Sequence, residues 1–287
     1  EKFNGRMLRL FRRGQNEEDT IYSDLKRIGI DVSGSQHRVD FGNHISGSID
    51  GVINDGVPEA PKKRHVLECK THSKKSFDDL VKNGVEKSKP MHYVQMQLYM
   101  HGLRIDRALY YAVCKDNDEI YTERVRYVKE VAEKYINRGH AIVSSDRMPP
   151  PYTTDPTYYS CKWCPAHDLC FGSKMTKEAN CRTCALSTAM PDSTWKCEKY
   201  GATIPVEAQH EGCDGHVLHP DLVPWDRVES IDQWKAIYII NGKRVENGEP
   251  DANVYSSKEI IANPEGCAMD DEFSREAREI LGARVVG

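Results

Sequence analysis

Apolar and polar positions alternate over two short stretches, 44–53 and 65–71, and the turn signal Asn54-Asp55-Gly56 follows the first. Period-two alternation bounded by a turn predicts two strands, paired as hairpin neighbours. In the first, Ile45, Gly47 and Ile49 share one face, while His44 and Asp50 share the other. In the second, Val66-Leu67-Glu68-Cys69-Lys70 puts Glu68 and Lys70 on one side and Cys69 on the other. A Pro- and Lys-rich excursion at 58–64 lies between them. Helical spacing runs over 6–29, with an apolar side at Met7, Leu8, Leu10 and Phe11 and then Ile21, Leu25 and Ile28; Gly14 predicts a break between two helices. A short helix is expected at 76–83 and a longer one at 90–102, opened by Pro90. Strands are expected at 108–114 and 119–125 around the turn Lys115-Asp116-Asn117-Asp118. Apolar positions 125, 128, 131, 132 and 135 predict an amphipathic helix over 124–138. Prolines at 149–151 mark a boundary. Residues 158–219 show little periodicity, 234–261 carry β signals, and 273–282 reads as a closing helix. Three segments follow: 1–150, 151–224 and 225–287.

Composition adds modest constraints. The chain has 287 residues with 39% hydrophobic positions, enough for a sizeable core, and a mean hydropathy of -0.65 implies a polar surface. No apolar run is long enough for a membrane span and no secretory leader pattern is visible, so a cytoplasmic protein is expected. The net charge of -4 does not advertise a nucleic-acid binder, but its distribution is uneven. In 225–287 acidic side chains outnumber basic ones, thirteen to eight. Basic residues gather at Lys62, Lys63, Arg64, Lys70, Lys74 and Lys75, and at Arg6, Arg9, Arg12 and Arg13. Either cluster suits phosphate contact.

Glu68 and Lys70 side by side suit a place where a cation and a phosphate meet. The carboxylate offers oxygen to a hard cation, and the lysine offers a compact positive charge. The predicted hairpin brings Asp50 beside Glu68. Gln95 and Tyr99, four apart on the predicted 90–102 helix, share one face.

In this order, Asp50, then Glu68-X-Lys70, then Gln95-X3-Tyr99, the motifs resemble those of the PD-(D/E)XK nucleases. The resemblance is to the RecB-like and lambda-exonuclease (YqaJ-like) phage exonucleases, over roughly residues 6–170. The segments SGSIDGVI, LECKTHSKKSF, HYVQMQLYM and YYAVCKDNDEIYTERV carry it. It implies an α/β restriction-endonuclease-like core, a mixed central sheet flanked by helices. It also implies Mg²⁺ or Mn²⁺ held by Asp50, Glu68 and the backbone carbonyl of Cys69. The text LFRRGQNEED resembles the family's first catalytic helix, which implies that Glu18, with Glu17 as the alternative, faces the metals. Lys70 would orient the attacking water, and Gln95 and Tyr99 would position the phosphate or the lysine. His44 is a further candidate ligand. Ser73, Lys74, Lys75 and Lys115 are candidate DNA contacts. The implied activity is exonucleolytic DNA hydrolysis in phage recombination or DNA processing, with a single-strand annealing protein as a possible partner and a homo-oligomer as a possible assembly.

Ten cysteines, six of them between 161 and 197, favour metal binding over disulfides. Cys161, Cys164 and Cys170 resemble the cysteine triplet of RecB-like nucleases that hold an iron–sulfur cluster. Those enzymes need a fourth, upstream cysteine, and 1–68 has none. The alternatives are zinc, with His167 or a distant residue as fourth ligand, or no metal. Cys181-X2-Cys184, Cys197, Cys213 and His216 supply one ligand more than tetrahedral zinc needs. A polar, loop-rich segment of this length is expected to need such a staple, followed by a small β-rich segment. Two other readings stand beside the exonuclease: a structure-selective or nicking endonuclease, and a zinc-stabilised, non-catalytic DNA-binding or assembly protein.

Overall fold

A computed structural model describes residues 3–172, 174–229, 232–269 and 271–286. The chain divides into two compact units, 1–143 and 144–287.

The first unit is mixed α/β. Its elements are α1 (Gly5–Arg27), β1 (Val32–Ser33), β2 (Arg38–Asp40), β3 (Ser46–Ser48), β4 (Gly51–Ile53), β5 (His65–His72), α2 (Lys74–Ser88), α3 (Pro90–Leu103), β6 (Arg107–Cys114), β7 (Ile120–Arg126) and α4 (Lys129–Val143). The central sheet runs β1-β4-β5-β6-β7, with β5 and β6 parallel and the other pairs antiparallel. β5 and β6 are interior strands, buried almost throughout; β6 shows this as a near-continuous apolar run, while β5 buries polar side chains such as Glu68 as well. One face of the sheet packs Val66, Ala108 and Tyr110 with Leu80, Met96 and Met100 from the helices. The other packs Leu67, Cys69 and Leu109 with Ile21 and Leu25 of α1.

Several expectations change. The stretch 44–53 is two strands: β3 pairs with β2 in a separate ribbon, β4 pairs with β5, and Asp50 lies at the junction. His44 is therefore in the turn before β3, with φ 65°, and not on a strand face. α1 runs unbroken through Gly14, because one helical glycine costs only about 1 kcal/mol and nothing crowds that position. Its expected apolar side does not form core at the N-terminal end: Leu8, Leu10 and Phe11 are exposed, and only Ile21 and Leu25 are buried. α4 starts at Lys129, since 124–126 complete β7.

The second unit contains α5 (Tyr159–Lys162), α6 (His167–Phe171), β8 (Ser187–Ala189), β9 (Trp195–Cys197), β10 (Ala202–Thr203), α7 (Val206–Glu211), β11 (Arg227–Val228), β12 (Ala236–Ile240), β13 (Lys243–Asn247), β14 (Val254–Tyr255), α8 (Ser257–Ala262), α9 (Pro264–Cys267) and α10 (Glu272–Leu281). β12 and β13 form a hairpin around Asn241-Gly242, both at positive φ as a two-residue hairpin turn requires. The β reading of 254–261 fails after Tyr255. Ser256 and Glu259 form a capping box there and start α8 instead. One core joins Val217 and Leu218 to Tyr238, Ile240, Val245 and Ile260. Glu259 and Arg278 form a buried ion pair at 2.5 Å that ties α10 to α8.

Candidate active site

The junction between β3 and β4 brings Asp50 to β5. Asp50 Oδ2 accepts a hydrogen bond from the Cys69 backbone N–H at 2.7 Å, and the Tyr22 hydroxyl donates to the Asp50 carbonyl. Lys70 Nζ lies 3.7 Å from Asp50 Oδ2 and in ion-pair contact with Glu68 Oε1. Glu68 is fully buried, and no hydrogen bond of acceptable geometry reaches either of its carboxyl oxygens. The lysine contact is therefore electrostatic. Burying a carboxylate this way is costly, and one ammonium offsets only part of the loss.

The titration behaviour reflects that imbalance. Burial pushes the Glu68 carboxyl up to about 7; the Lys70 charge pulls it back, and Asp50 raises it further. Burial alone would lower the Lys70 ammonium, but the charges of Glu68 and Asp50 outweigh it and hold the group above its ordinary value. That direction favours the charged form of Lys70. Glu18 is raised by burial first and by Asp50 second, which places its carboxyl within electrostatic reach of the site. Gly14, Glu17, Glu18, Ile21, Cys69, Lys70 and Thr71 line a cleft between α1 and β5.

Gln95 and Tyr99 meet across one turn of α3. Gln95 Nε2 donates to the Tyr99 hydroxyl at 3.3 Å, and that hydroxyl donates to the Ser48 carbonyl at 2.7 Å. The pair pins the end of β3, two residues before Asp50. Gly47 makes this approach possible: a Cβ there would stand 2.7 Å from the Tyr99 oxygen. Lys74 bonds Asp78 and Glu119, Ser73 precedes α2 with no capping bond from its side chain, Lys75 is exposed, and the Lys115 N–H bonds the His72 carbonyl.

One group escaped the sequence reading. The Tyr110 hydroxyl joins His72 Nε2 at 2.9 Å and His92 Nδ1 at 2.8 Å. Burial first, then lysine charge, lowers both imidazoles to about 4, so both are neutral at physiological pH. Tyr110 stands beside Glu68 in register. The signal was available, since His72 continues the Glu68, Lys70 alternation and His92 precedes Gln95 by three.

In the second unit, Cys184 Sγ accepts backbone N–H groups of Leu186 and Val217 at 3.4 and 3.5 Å. Burial raises the Cys181 thiol, and the nearby charges of Cys184, Cys213 and Cys197 raise it further. Both His216 nitrogens are engaged, Nδ1 with Ser257 at 2.7 Å and Nε2 with Thr183 at 3.2 Å. Cys161 senses Cys164 and Cys170, while His167 is held by the Pro156 carbonyl and Asp168. Among the described residues, no three His, Cys, Asp or Glu side chains stand close enough to share a metal ion.

No family model matches the chain, and no curated protein matches it. Solved structures similar to part of it include the following two. The crystal structure of SSO0001 aligns at 17% identity and a TM-score of 0.35, covering 54% of this chain and 69% of its own. An alkaline exonuclease, LHK-Exo, from Laribacter hongkongensis aligns at 17% identity and a TM-score of 0.35, covering 49% of this chain and 68% of its own. Likenesses this distant carry no inference about chemistry, so the functional reading rests on the site itself. No helix among the described residues is long and apolar enough to cross a membrane.

Proposed function

We propose that the chain is a divalent-metal-dependent deoxyribonuclease that digests DNA from its ends, serving recombination or DNA processing of a phage or prophage in the bacterial cytoplasm. The observation that carries this is Glu68: a fully buried carboxylate, beside Asp50, whose one close polar partner among the described residues is the Lys70 ammonium at Oε1. A buried carboxylate with an oxygen that the lysine does not reach, and a second carboxylate at hand, suits a hard cation. Asp50 and Glu68 would hold Mg²⁺ or Mn²⁺, with the Cys69 carbonyl and Glu18 completing the set. The bound ion would supply charge neutralisation at the phosphate and an activated water.

The chain's own residues do the rest. Lys70 stays protonated and stabilises negative charge developing on the phosphate, while aligning the water through its N–H donors. The Cys69 N–H fixes one Asp50 oxygen, which leaves the other free to turn to the cation. Gln95 and Tyr99 hold the backbone leading to Asp50, a positioning role. Ser73, Lys75 and Lys115 are the remaining candidate phosphate contacts; Lys74 would first have to leave its acidic partners.

We assign the second unit a structural zinc on Cys181, Cys184, Cys197 and Cys213. Burial raises the Cys184 thiol, and the two N–H groups donated to its sulfur offset part of that and would support a metal-bound thiolate; His216 is already satisfied. The sulfurs would have to draw together on binding. Metal analysis of the purified protein should find at least one zinc per chain; a zinc-free, fully folded protein would remove the assignment.

Digestion of linear and covalently closed circular duplex tests the exonuclease reading. With Mg²⁺ the linear form should disappear with little sequence preference, and the closed circle should survive. Efficient cutting of the circle would favour the endonuclease. Binding of DNA without hydrolysis in Mg²⁺ or Mn²⁺ would favour the non-catalytic protein.

A further inference from the structure

Residues 149–165 contain no Leu, Ile, Val, Met or Phe, yet they carry Tyr152, Tyr158, Tyr159 and Trp163. Three of these rings face solvent almost entirely: Tyr152 is 78% exposed, Tyr159 79% and Trp163 72%. Such exposure of large rings is unusual. The Tyr152 and Tyr158 rings pair at 5.6 Å, and the Lys162 ammonium lies 5.7 Å from the centre of the Trp163 ring.

The segment is braced rather than slack. Asp155 Oδ1 accepts from the Thr157 N–H and hydroxyl at 2.8 and 2.7 Å, and the Pro156 carbonyl meets His167 Nε2 at 3.0 Å. α5 carries Tyr159 and Lys162 on one helical turn, with Trp163 directly after it. The backbone that carries the rings is therefore held by local hydrogen bonds, which limits the ordering cost of binding.

A segment whose exposed large side chains are aromatic and not aliphatic is a poor greasy docking surface for a protein or a membrane. Flat π-faces with an ammonium beside them match a polymer that alternates flat bases with phosphates. We propose that Tyr152, Tyr158, Tyr159 and Trp163, with Lys162, form a stacking platform for the bases of single-stranded DNA. The choice of DNA rests on the nuclease reading of the first unit. The platform itself lies wholly within the second unit and uses none of the cleavage residues.

The test compares two labelled probes of equal length and phosphate number, an oligothymidylate and an abasic oligomer. Binding to the full-length protein is read by fluorescence anisotropy with no divalent cation added. The wild type should prefer the oligothymidylate by on the order of tenfold or more. The double variant Tyr159→Ala, Trp163→Ala should lose that preference while keeping its affinity for the abasic probe. Tyr159→Phe with Trp163→Phe should restore it, because the π-faces return. Equal binding of both probes by the wild type, or an undiminished preference in the alanine variant, would overturn the proposal. Circular dichroism checks that each variant is folded. Cleavage of end-labelled duplex by the same variants reads the first unit separately, so loss of stacking and failure of the nuclease reading are distinguishable.

Discussion

Lys70→Ala is expected to lower the rate of DNA hydrolysis by roughly 10²–10³-fold while leaving the protein folded and DNA bound. The magnitude follows from what the ammonium does. It sits in contact with Glu68 and 3.7 Å from Asp50, and those charges hold it protonated well above neutral pH. Its charge is thus available where the phosphate must gain negative charge. Removal leaves two acids without their cation, so Glu68 should take up a proton more readily and cation affinity at neutral pH should weaken somewhat. Raising the pH or the cation concentration should recover occupancy but not rate. A split of that kind separates loss of a catalytic charge from loss of the metal seat. Single-turnover cleavage of labelled duplex over a cation titration measures both; full activity in the variant would sink the assignment of Lys70.

Glu68→Gln should do two opposite things. It should abolish hydrolysis, because an amide is a poor seat for a hard cation. It should also stabilise the metal-free protein at alkaline pH. Glu68 is raised in the fold from its ordinary 4.5 to about 7. The fold therefore favours the uncharged carboxyl: that contribution is complete below 4.5 and is lost as pH rises through about 7. Above that, the native state carries a buried carboxylate that glutamine does not. The gain should be absent at pH 4, grow between 4.5 and 7, and level off at about 1–3 kcal/mol, the burial of the amide reducing the full shift. Urea unfolding of both proteins without added divalent cation, at pH 4.5 and 8, measures it. Such stability forfeited at a site is expected of groups retained for function. A variant equally destabilised at both pH values would show a packing role instead.

The legible parts of the fold were those written in local pattern. β6 was readable because a central strand buries both faces, β5 because Glu68 and Lys70 alternate with Cys69 in a short run, and α3 because Pro90 and the Gln95, Tyr99 spacing mark it. The site residues were readable because Glu68 and Lys70 alternate on one strand. What was hidden depends on partners distant in sequence. Nothing local shows that 44–53 splits at Asp50, because the split reflects β3 choosing β2 while β4 chooses β5. The continuity of α1 through Gly14 and the exposure of Leu8, Leu10 and Phe11 depend on which surfaces the sheet covers. At 254–261 the β-branched residues suggested strand, but the Ser256–Glu259 capping box is the stronger local signal and was overlooked. The engagement of His216 could not be foreseen, since Ser257 lies forty-one residues away.

Hydrolysis of end-labelled linear duplex by wild type and by Glu68→Gln, each in Mg²⁺ and in EDTA, tests the central claim most directly. The account predicts shortening of the labelled strand only by wild type and only in Mg²⁺, with Glu68→Gln folded and inactive. Hydrolysis by wild type in EDTA, or equal hydrolysis by Glu68→Gln in Mg²⁺, would contradict it.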